Sequence, residues 1–88
     1  QQRIVMEIKR FERPIINNNS IVLLLDNNHP SLLLENNTYI KLKTRGKVIS
    51  TRKLETDKER CYLIKFKGIK GHRHVQESWI AEILGGHL

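Results

Sequence analysis

Short apolar runs separated by turn-forming residues are the main pattern in the first half of this chain. Residues 21–25 (IVLLL) form a continuous apolar run, and residues 32–34 (LLL) form a second one after His29 and Pro30. Runs this short, bounded by Asn, Asp and Ser, predict strands that are buried on both faces or that pair with another chain. The intervening residues 26–31 have the length of a hairpin connection, provided that Pro30 lies at its edge.

The residues before these runs are less regular. Residues 3–10 (RIVMEIKR) mix β-branched and charged side chains, which favours a short strand over a helical turn. Asn17, Asn18 and Asn19 then form a polar break whose residues tolerate turn geometry.

Alternation of apolar and polar residues is clearer in the second half. It predicts strands over residues 38–44 and from residue 47 onward, with a bend or bulge at the intervening Gly46. Residues 61–67 predict a further strand that places Tyr62, Ile64 and Phe66 on one face.

The C-terminal end is predicted to be helical. After a last short strand at residues 72–76, Ser78 is placed to cap a helix over residues 79–84 that stops at Gly85 and Gly86. The predicted fold class is therefore mainly β with a C-terminal helix. At 88 residues the chain is one domain at most, with a core that is marginal without a partner.

Charge adds a preference for anionic partners. The chain has 16 Lys and Arg against 9 Asp and Glu, a net charge of +7, which favours association with polyanions or acidic protein surfaces. Basic residues along the predicted strands are candidate phosphate contacts, although a charged outer face is often only a solvated face. The candidates are Lys43, Arg45, Lys65, Lys67 and Arg73.

Several functional classes are not indicated. The single cysteine, Cys61, rules out an intrachain disulfide and fits a reducing compartment. His72 and His74 lie two residues apart without a zinc-ligand spacing, and no catalytic constellation can be assembled. No signal-peptide pattern or membrane-length apolar run is present. We therefore expect no catalytic residue, no metal, no cofactor and no membrane association.

Three motifs in the second half resemble the chromodomain family. They are residues 62–68 (YLIKFKG), the Ser78-Trp79 pair and the apolar-acidic ending at Leu84, preceded by residues 47–52 (KVISTR) in the place of the family's first strand. The ending SWIAEIL is most similar to that of chromodomain-helicase nucleosome remodellers of the NuRD and SHREC type. The resemblance implies a curved three-stranded antiparallel sheet closed by a C-terminal helix, here with additional N-terminal strands. An SH3-like or Tudor-like small barrel is the alternative.

This resemblance divides the chain into an N-terminal extension, residues 1–37, and a chromo-like domain, residues 38–88. By resemblance, the positions of a methyl-lysine cage fall near Lys43, at Phe66 and at Ile69. Only Phe66 is aromatic, so the cage is degenerate and methyl-lysine binding is not expected. Tyr39 is a substitute if the first strand is shifted, and Trp79 is expected to pack the helix onto the sheet.

The two apolar runs of the extension loosely resemble the P-x-V-x-L peptides that chromoshadow dimers capture by strand addition. One run has the central Val22 without the proline, and the other has Pro30 without the valine. The alternative is that both are core strands of a hairpin. The predicted partner-binding residues are Ile21, Val22, Leu23, Leu24, Leu32 and Leu34.

The function that these patterns favour is a non-catalytic, nuclear chromatin adaptor, part of an ATP-dependent remodeller, that binds a heterochromatin chromoshadow-domain partner through residues 20–34. The first alternative is DNA or histone-tail binding by the basic chromo-like domain. The second alternative is the chromodomain tail of a retroelement integrase.

Overall fold

The computed structural model describes residues 13–88, which form five strands and two single-turn 3-10 helices. The strands are β1 (Ile21–Leu24), β2 (Arg45–Arg52), β3 (Cys61–Phe66), β4 (Arg73–Gln76) and β5 (Ile80–Ile83). The 3-10 turns are Pro30–Leu32, between β1 and β2, and Glu77–Trp79, between β4 and β5. The prediction of a mainly β domain is confirmed. The strand predicted at residues 3–10 lies outside the described residues.

All five strands belong to one antiparallel sheet with the order β4-β3-β2-β1-β5. Strand β1 lies between β2 and β5, with Leu23 opposite Arg45 on one side and Ala81 on the other. The predicted boundary between residues 37 and 38 therefore divides a single sheet. It does not separate an extension from a domain, because β1 supplies hydrogen bonds to both neighbours.

Alternating side chains on the inner face of the sheet build the core. The burial pattern of β3 is strictly alternating, and Tyr62, Ile64 and Phe66 are fully buried, as the sequence predicts. The remaining members of the core are Ile16, Val22, Leu24, Leu32, Ile40, Val48, Val75 and Ile80. Residues from the first half are thus as central as those of the predicted chromo-like half.

Gly46 is required for close packing, and the predicted bend at this residue is wrong. The residue lies within β2 opposite Phe66, where a Cβ atom would overlap Ile64 Cγ2 and lie 2.9 Å from Phe66 Cδ1. The irregularity of β2 is a register shift between Val48 and Ser50. The strand changes its facing there because an extra residue is inserted.

The predicted C-terminal helix over residues 79–84 is absent from the described chain. Its first residue ends the 3-10 turn Glu77–Trp79, and residues 80–83 form β5, which pairs with β1. Ser78 does not act as the cap: its backbone N–H and hydroxyl both donate to the Glu59 carboxylate, at 2.7 and 3.0 Å. This short run has the β-branched Ile80 and Ile83 at its ends. Pairing with the edge of β1 stabilises it more than a helix of fewer than two turns would.

Residues 32–42 form a loop, not the two predicted strands. The prediction of a strand at residues 32–34 is wrong because Pro30–Leu32 is a 3-10 turn, and the strand predicted from residue 38 is reduced to one isolated bridge between Leu33 and Tyr39. Leu32 and Ile40 are buried and anchor this loop to the core.

The start of the described chain is fixed to the sheet by side-chain hydrogen bonds. The Arg13 guanidinium donates to the carbonyls of Glu77 and Ile80, at 2.8 and 2.7 Å. The Ile16 N–H donates to the hydroxyl of buried Tyr62, at 3.1 Å.

Candidate functional site

The predicted chromoshadow anchors are mostly core residues. Val22, Leu24 and Leu32 have no exposed surface, and both edges of β1 are paired within the sheet. Strand addition needs a free edge and side chains that can enter a partner's pockets. The folded domain offers neither at β1. These three residues are therefore core residues, as the alternative prediction has it, although the two apolar runs do not form a hairpin.

The other three predicted anchors have different positions. Ile21 and Leu23 lie on the outer face of β1, and Ile21 is only 8 % exposed because Gly86 folds back against it and Ile83. Leu34 is half-buried and lines a surface groove described below.

The degenerate methyl-lysine cage is not formed either. Phe66 is fully buried and belongs to the core, so its ring has no face available to a ligand. Trp79 is partly buried against the core from the 3-10 turn, as a packing residue, and its outer face is covered by the ring of His29. The two rings are stacked, with centroids 3.5 Å apart and planes 7° from parallel.

A groove lies between the loop of residues 34–41 and the β3–β4 hairpin. Two depressions of about 400 and 450 Å³ share Leu34, Asn36 and Ile69, and together they form this groove. The lining residues are Leu34, Glu35, Asn36, Thr38, Tyr39, Ile40, Lys41, Thr44, Lys67, Gly68, Ile69, Lys70 and Arg73.

One wall of the groove is a tight turn held by asparagines. The Leu34 N–H donates to the Thr38 carbonyl at 2.7 Å, and Asn37 adopts a left-handed conformation with φ of 66°. The Asn36 Oδ1 atom accepts from the N–H and the hydroxyl of Thr38, at 3.2 and 2.6 Å. Asparagine tolerates left-handed backbone and forms such local bonds. The polar residues around the apolar run therefore give the wall a defined shape.

The opposite wall is the hairpin that joins β3 and β4. Gly68 and Gly71 have φ values of 76° and 81°, which L side chains adopt rarely. Between them Ile69 is half-buried and packs against the core. The hairpin thus places an apolar side chain at the base of the groove and leaves Lys67 and Lys70 exposed on either side of it.

The rim of the groove is strongly basic. Lys41, Lys67, Lys70 and Arg73 line it, against the single carboxylate of Glu35. Within residues 13–88 the ammonium groups of the three lysines form no hydrogen bond or ion pair. These charges are therefore available to a ligand.

Some of the predicted nucleic-acid contacts donate hydrogen bonds within the domain, and the others are exposed and available to a ligand. The Lys65 ammonium donates to the carbonyls of Ile69 and Phe66, at 2.6 and 3.2 Å, and so stabilises the hairpin turn. The Arg45 guanidinium donates to the His87 carbonyl at 3.0 Å.

Arg73, another predicted contact, lines the groove while its Nη1 donates to the carbonyls of Leu33 and Ser31, at 2.9 and 3.3 Å. Lys67 and Lys43 are exposed, and only Lys67 lines the groove. Lys43 lies on the neighbouring turn with a positive φ of 68°.

Positive charge is concentrated at this end of the sheet. Residues 65–73 carry four basic side chains and no acidic one, and no acidic residue lies between Glu35 and Glu55. The connection between β2 and β3 is balanced: residues 52–59 hold three basic and three acidic side chains. It lies at the opposite end of the six-residue strand β3, about 20 Å from the hairpin.

The buried polar groups of the domain serve its structure. Glu77 is 6 % exposed, and its Oε2 atom accepts from Tyr62 Oη at 3.1 Å and from Arg60 Nη1 at 3.2 Å. Burial is the main cause that raises the pKa of Tyr62, and burial also raises the pKa of the Cys61 thiol. A raised pKa keeps the thiol protonated, which disfavours reaction as a nucleophile.

Two further observations apply to the described part of the chain. No three His, Cys, Asp or Glu side chains of residues 13–88 come together in a way that would hold a metal ion. In the same range, no helix has the length and apolar character needed to cross a bilayer.

Comparison with known proteins identifies no relative: no protein family, no curated protein and no solved structure matches the chain. The resemblance to chromodomains therefore remains a prediction from the motifs, and the groove has to be interpreted from its own chemistry.

Sequence reasoning missed much of the groove. Lys41 and Lys70 were recognisable as basic residues, and Tyr39 and Ile69 as positions near a possible cage, but nothing in the pattern brings them together. The turn signals at Asn36 and Gly68 were the available clue, because loops carry binding residues more often than strands do.

Proposed function

We propose that this domain is a non-catalytic nucleic-acid-binding module and that the groove between residues 34–41 and the β3–β4 hairpin is its contact surface. The observation that carries the proposal is the coincidence of concavity and charge: the groove's rim holds Lys41, Lys67 and Lys70 with unbonded ammonium groups. A nuclear, chromatin-associated setting, inferred from the chromodomain resemblance, belongs to the same proposal.

The charge distribution favours a polyanion over an ordinary protein partner. Lysines are point charges that neutralise phosphates without reading sequence. A solvated basic surface would be expected to carry its charge evenly, whereas here one end is basic and the connection of residues 52–59 is neutral. Such an asymmetric field steers an anionic ligand toward the groove.

The fold by itself does not decide the function. The strand order, the pairing of the first strand with the last and the 3-10 turn before β5 resemble the connectivity of SH3-like small barrels, the alternative to the chromo-like sheet. Barrels of this type host many unrelated functions, so the function has to be argued from the site.

The test is a salt titration of binding to a fluorescein-labelled oligonucleotide, followed by anisotropy. If three to four phosphates are neutralised, log affinity should fall against log salt with a slope of about −2 to −3 for single-stranded DNA. This corresponds to a loss of about 20- to 50-fold between 50 and 200 mM salt. The double variant Lys67→Ala/Lys70→Ala should lower the slope by about 1.4.

The matched control is Arg52→Ala/Lys58→Ala, which removes the same charge at the opposite end of β3 and should leave the slope nearly unchanged. Both variants have the same net charge, so a general electrostatic effect would weaken them equally. Equal losses in the two variants, or no binding at 50 mM salt, would contradict the proposal.

A further inference from the structure

The groove has an apolar base as well as a basic rim, and this combination narrows the class of ligand. Resting on the proposed function, we infer that the groove binds single-stranded nucleic acid in preference to duplex, with an unpaired base lying against Tyr39 and Ile69. The lysines of the rim would then hold the flanking phosphates.

Tyr39 has the properties of a stacking residue. It lines the groove next to Ile69, is 38 % exposed and lies outside the hydrophobic core, so its ring is not committed to packing. Its hydroxyl has no hydrogen-bond partner among residues 13–88. An exposed aromatic side chain beside unpaired lysines is the arrangement by which proteins bind single strands, because every base has a π face.

The polar lining adds a suitable set of donors. Asn36 uses its Oδ1 atom for the turn, and its Nδ2 group donates to no atom of residues 13–88. An amide donor in the lining of the groove fits the acceptor edges of an unpaired base. A duplex presents phosphates and groove edges on its surface, and its base faces are stacked inside. It would leave the apolar base of the groove without a partner.

The experiment compares three probes at one salt concentration: a labelled mixed-sequence DNA strand of about 15 nucleotides, the same sequence as a duplex, and heparin as an unlabelled competitor. We expect the single strand to bind at least about tenfold more tightly than the duplex. Tyr39→Ala should weaken single-strand binding by about 5- to 150-fold, the range given by the loss of one stacked base. Duplex binding should be unaffected by this change.

Two variants separate stacking from other effects. Tyr39→Phe keeps the π face and should retain single-strand affinity, whereas Tyr39→Leu keeps apolar surface and should lose it as Tyr39→Ala does. Unfolding curves of all three should match the unsubstituted chain, since this side chain is exposed.

Equal affinity for single strand and duplex would overturn the inference. So would a change of less than twofold in Tyr39→Ala, or displacement of the strand by heparin at equal charge concentration. If Lys67→Ala/Lys70→Ala still weakens binding in these cases, the proposed function stands and only the preference for unpaired bases is wrong. Absence of binding by every probe would remove both.

Discussion

Tyr62→Phe is the substitution whose effect the structure defines most clearly. The Tyr62 hydroxyl is fully buried, accepts from the Ile16 N–H at 3.1 Å and donates to Glu77 Oε2 at 3.1 Å. Phenylalanine fills nearly the same volume, so the change removes the two hydrogen bonds with little change in packing.

The expected cost follows from the groups left behind. The Ile16 N–H loses its acceptor in a buried place, and an orphaned buried donor costs about 1–3 kcal/mol. Glu77 keeps Arg60 as a partner at 3.2 Å, so its loss is the smaller of the two. We expect a total loss of about 2 kcal/mol, or a decrease of about 8–16 °C in Tm for a domain of this size.

Thermal and urea unfolding, followed by far-ultraviolet circular dichroism and by Trp79 fluorescence, would measure this effect. Tyr39→Phe is the matched control, because it removes a hydroxyl from an exposed tyrosine and should change the free energy of unfolding by less than about 0.5 kcal/mol. Equal effects of the two substitutions would show that the Tyr62 hydroxyl does not hold residues 13–16 on the sheet.

Three further outcomes are expected. Gly46→Ala should destabilise the domain by about 1–3 kcal/mol in urea unfolding, since the new Cβ meets the buried Phe66 ring in a filled core; an unchanged midpoint would show that the core can yield there. His29→Ala should remove the stacked ring from Trp79 and shift its emission to longer wavelength, and an unshifted spectrum would contradict the stacking. Burial raises the pKa of Tyr62 above its ordinary value of 10.0, so its contribution to stability is complete below pH 10 and is lost as the pH rises further; Tyr62→Phe should flatten the pH dependence of stability in that range, measured by urea unfolding.

Strands β3 and β4 were predicted close to their observed bounds, although the same alternation at residues 38–44 did not give a strand. Strand β3 is predicted at residues 61–67 and observed at Cys61–Phe66, and β4 is predicted at residues 72–76 and observed at Arg73–Gln76. In β3, the side chains that the pattern places on one face, Tyr62, Ile64 and Phe66, are the ones that the core buries. Local pattern is sufficient where a strand has one buried and one open face.

The errors occurred where tertiary pairing decides the local structure. Ile80–Ile83 is a strand because β1 offers it an edge, and no local feature of the sequence states that β1 lies nearby. Leu32 is buried as firmly as a strand residue, but it reaches the core from a 3-10 turn. A continuous apolar run shows that a segment is buried and leaves its backbone geometry open.

The same difficulty applies to the interpretation of residues 20–34 as partner-binding segments. The core of an 88-residue chain was expected to be too small to need the apolar side chains of both runs. The runs were therefore interpreted as partner-binding segments. The core uses Val22, Leu24 and Leu32 from these runs, together with Ile16 before them. Because a small domain has a large surface for its volume, it cannot spare apolar residues, and both runs contribute side chains to the core.

What the core does not explain is the length of the connection between β1 and β2. It spans 20 residues, 25–44, and contains no regular structure beyond the single 3-10 turn. Antiparallel neighbours such as these need only a few residues, and loops of this length in compact domains are usually functional or disordered. This one is ordered, since Asn27 Nδ2 donates to the Ile40 carbonyl at 2.7 Å and the Ser31 hydroxyl donates to the His74 carbonyl at 2.7 Å.

The topology of the sheet does not require an ordered loop of this length. We therefore infer that the loop has a role other than connecting β1 to β2. Ile40 anchors it to the core, and the anchored part carries Tyr39 and Lys41 to the groove, where they face the hairpin residues Lys67 and Ile69. Shortening the loop by deleting residues 35–38 would leave the five strands with their hydrogen bonds and remove one wall of the groove. We therefore expect a folded domain with its sheet intact by circular dichroism and with single-strand binding lost, and retention of binding would show that the hairpin alone forms the contact surface.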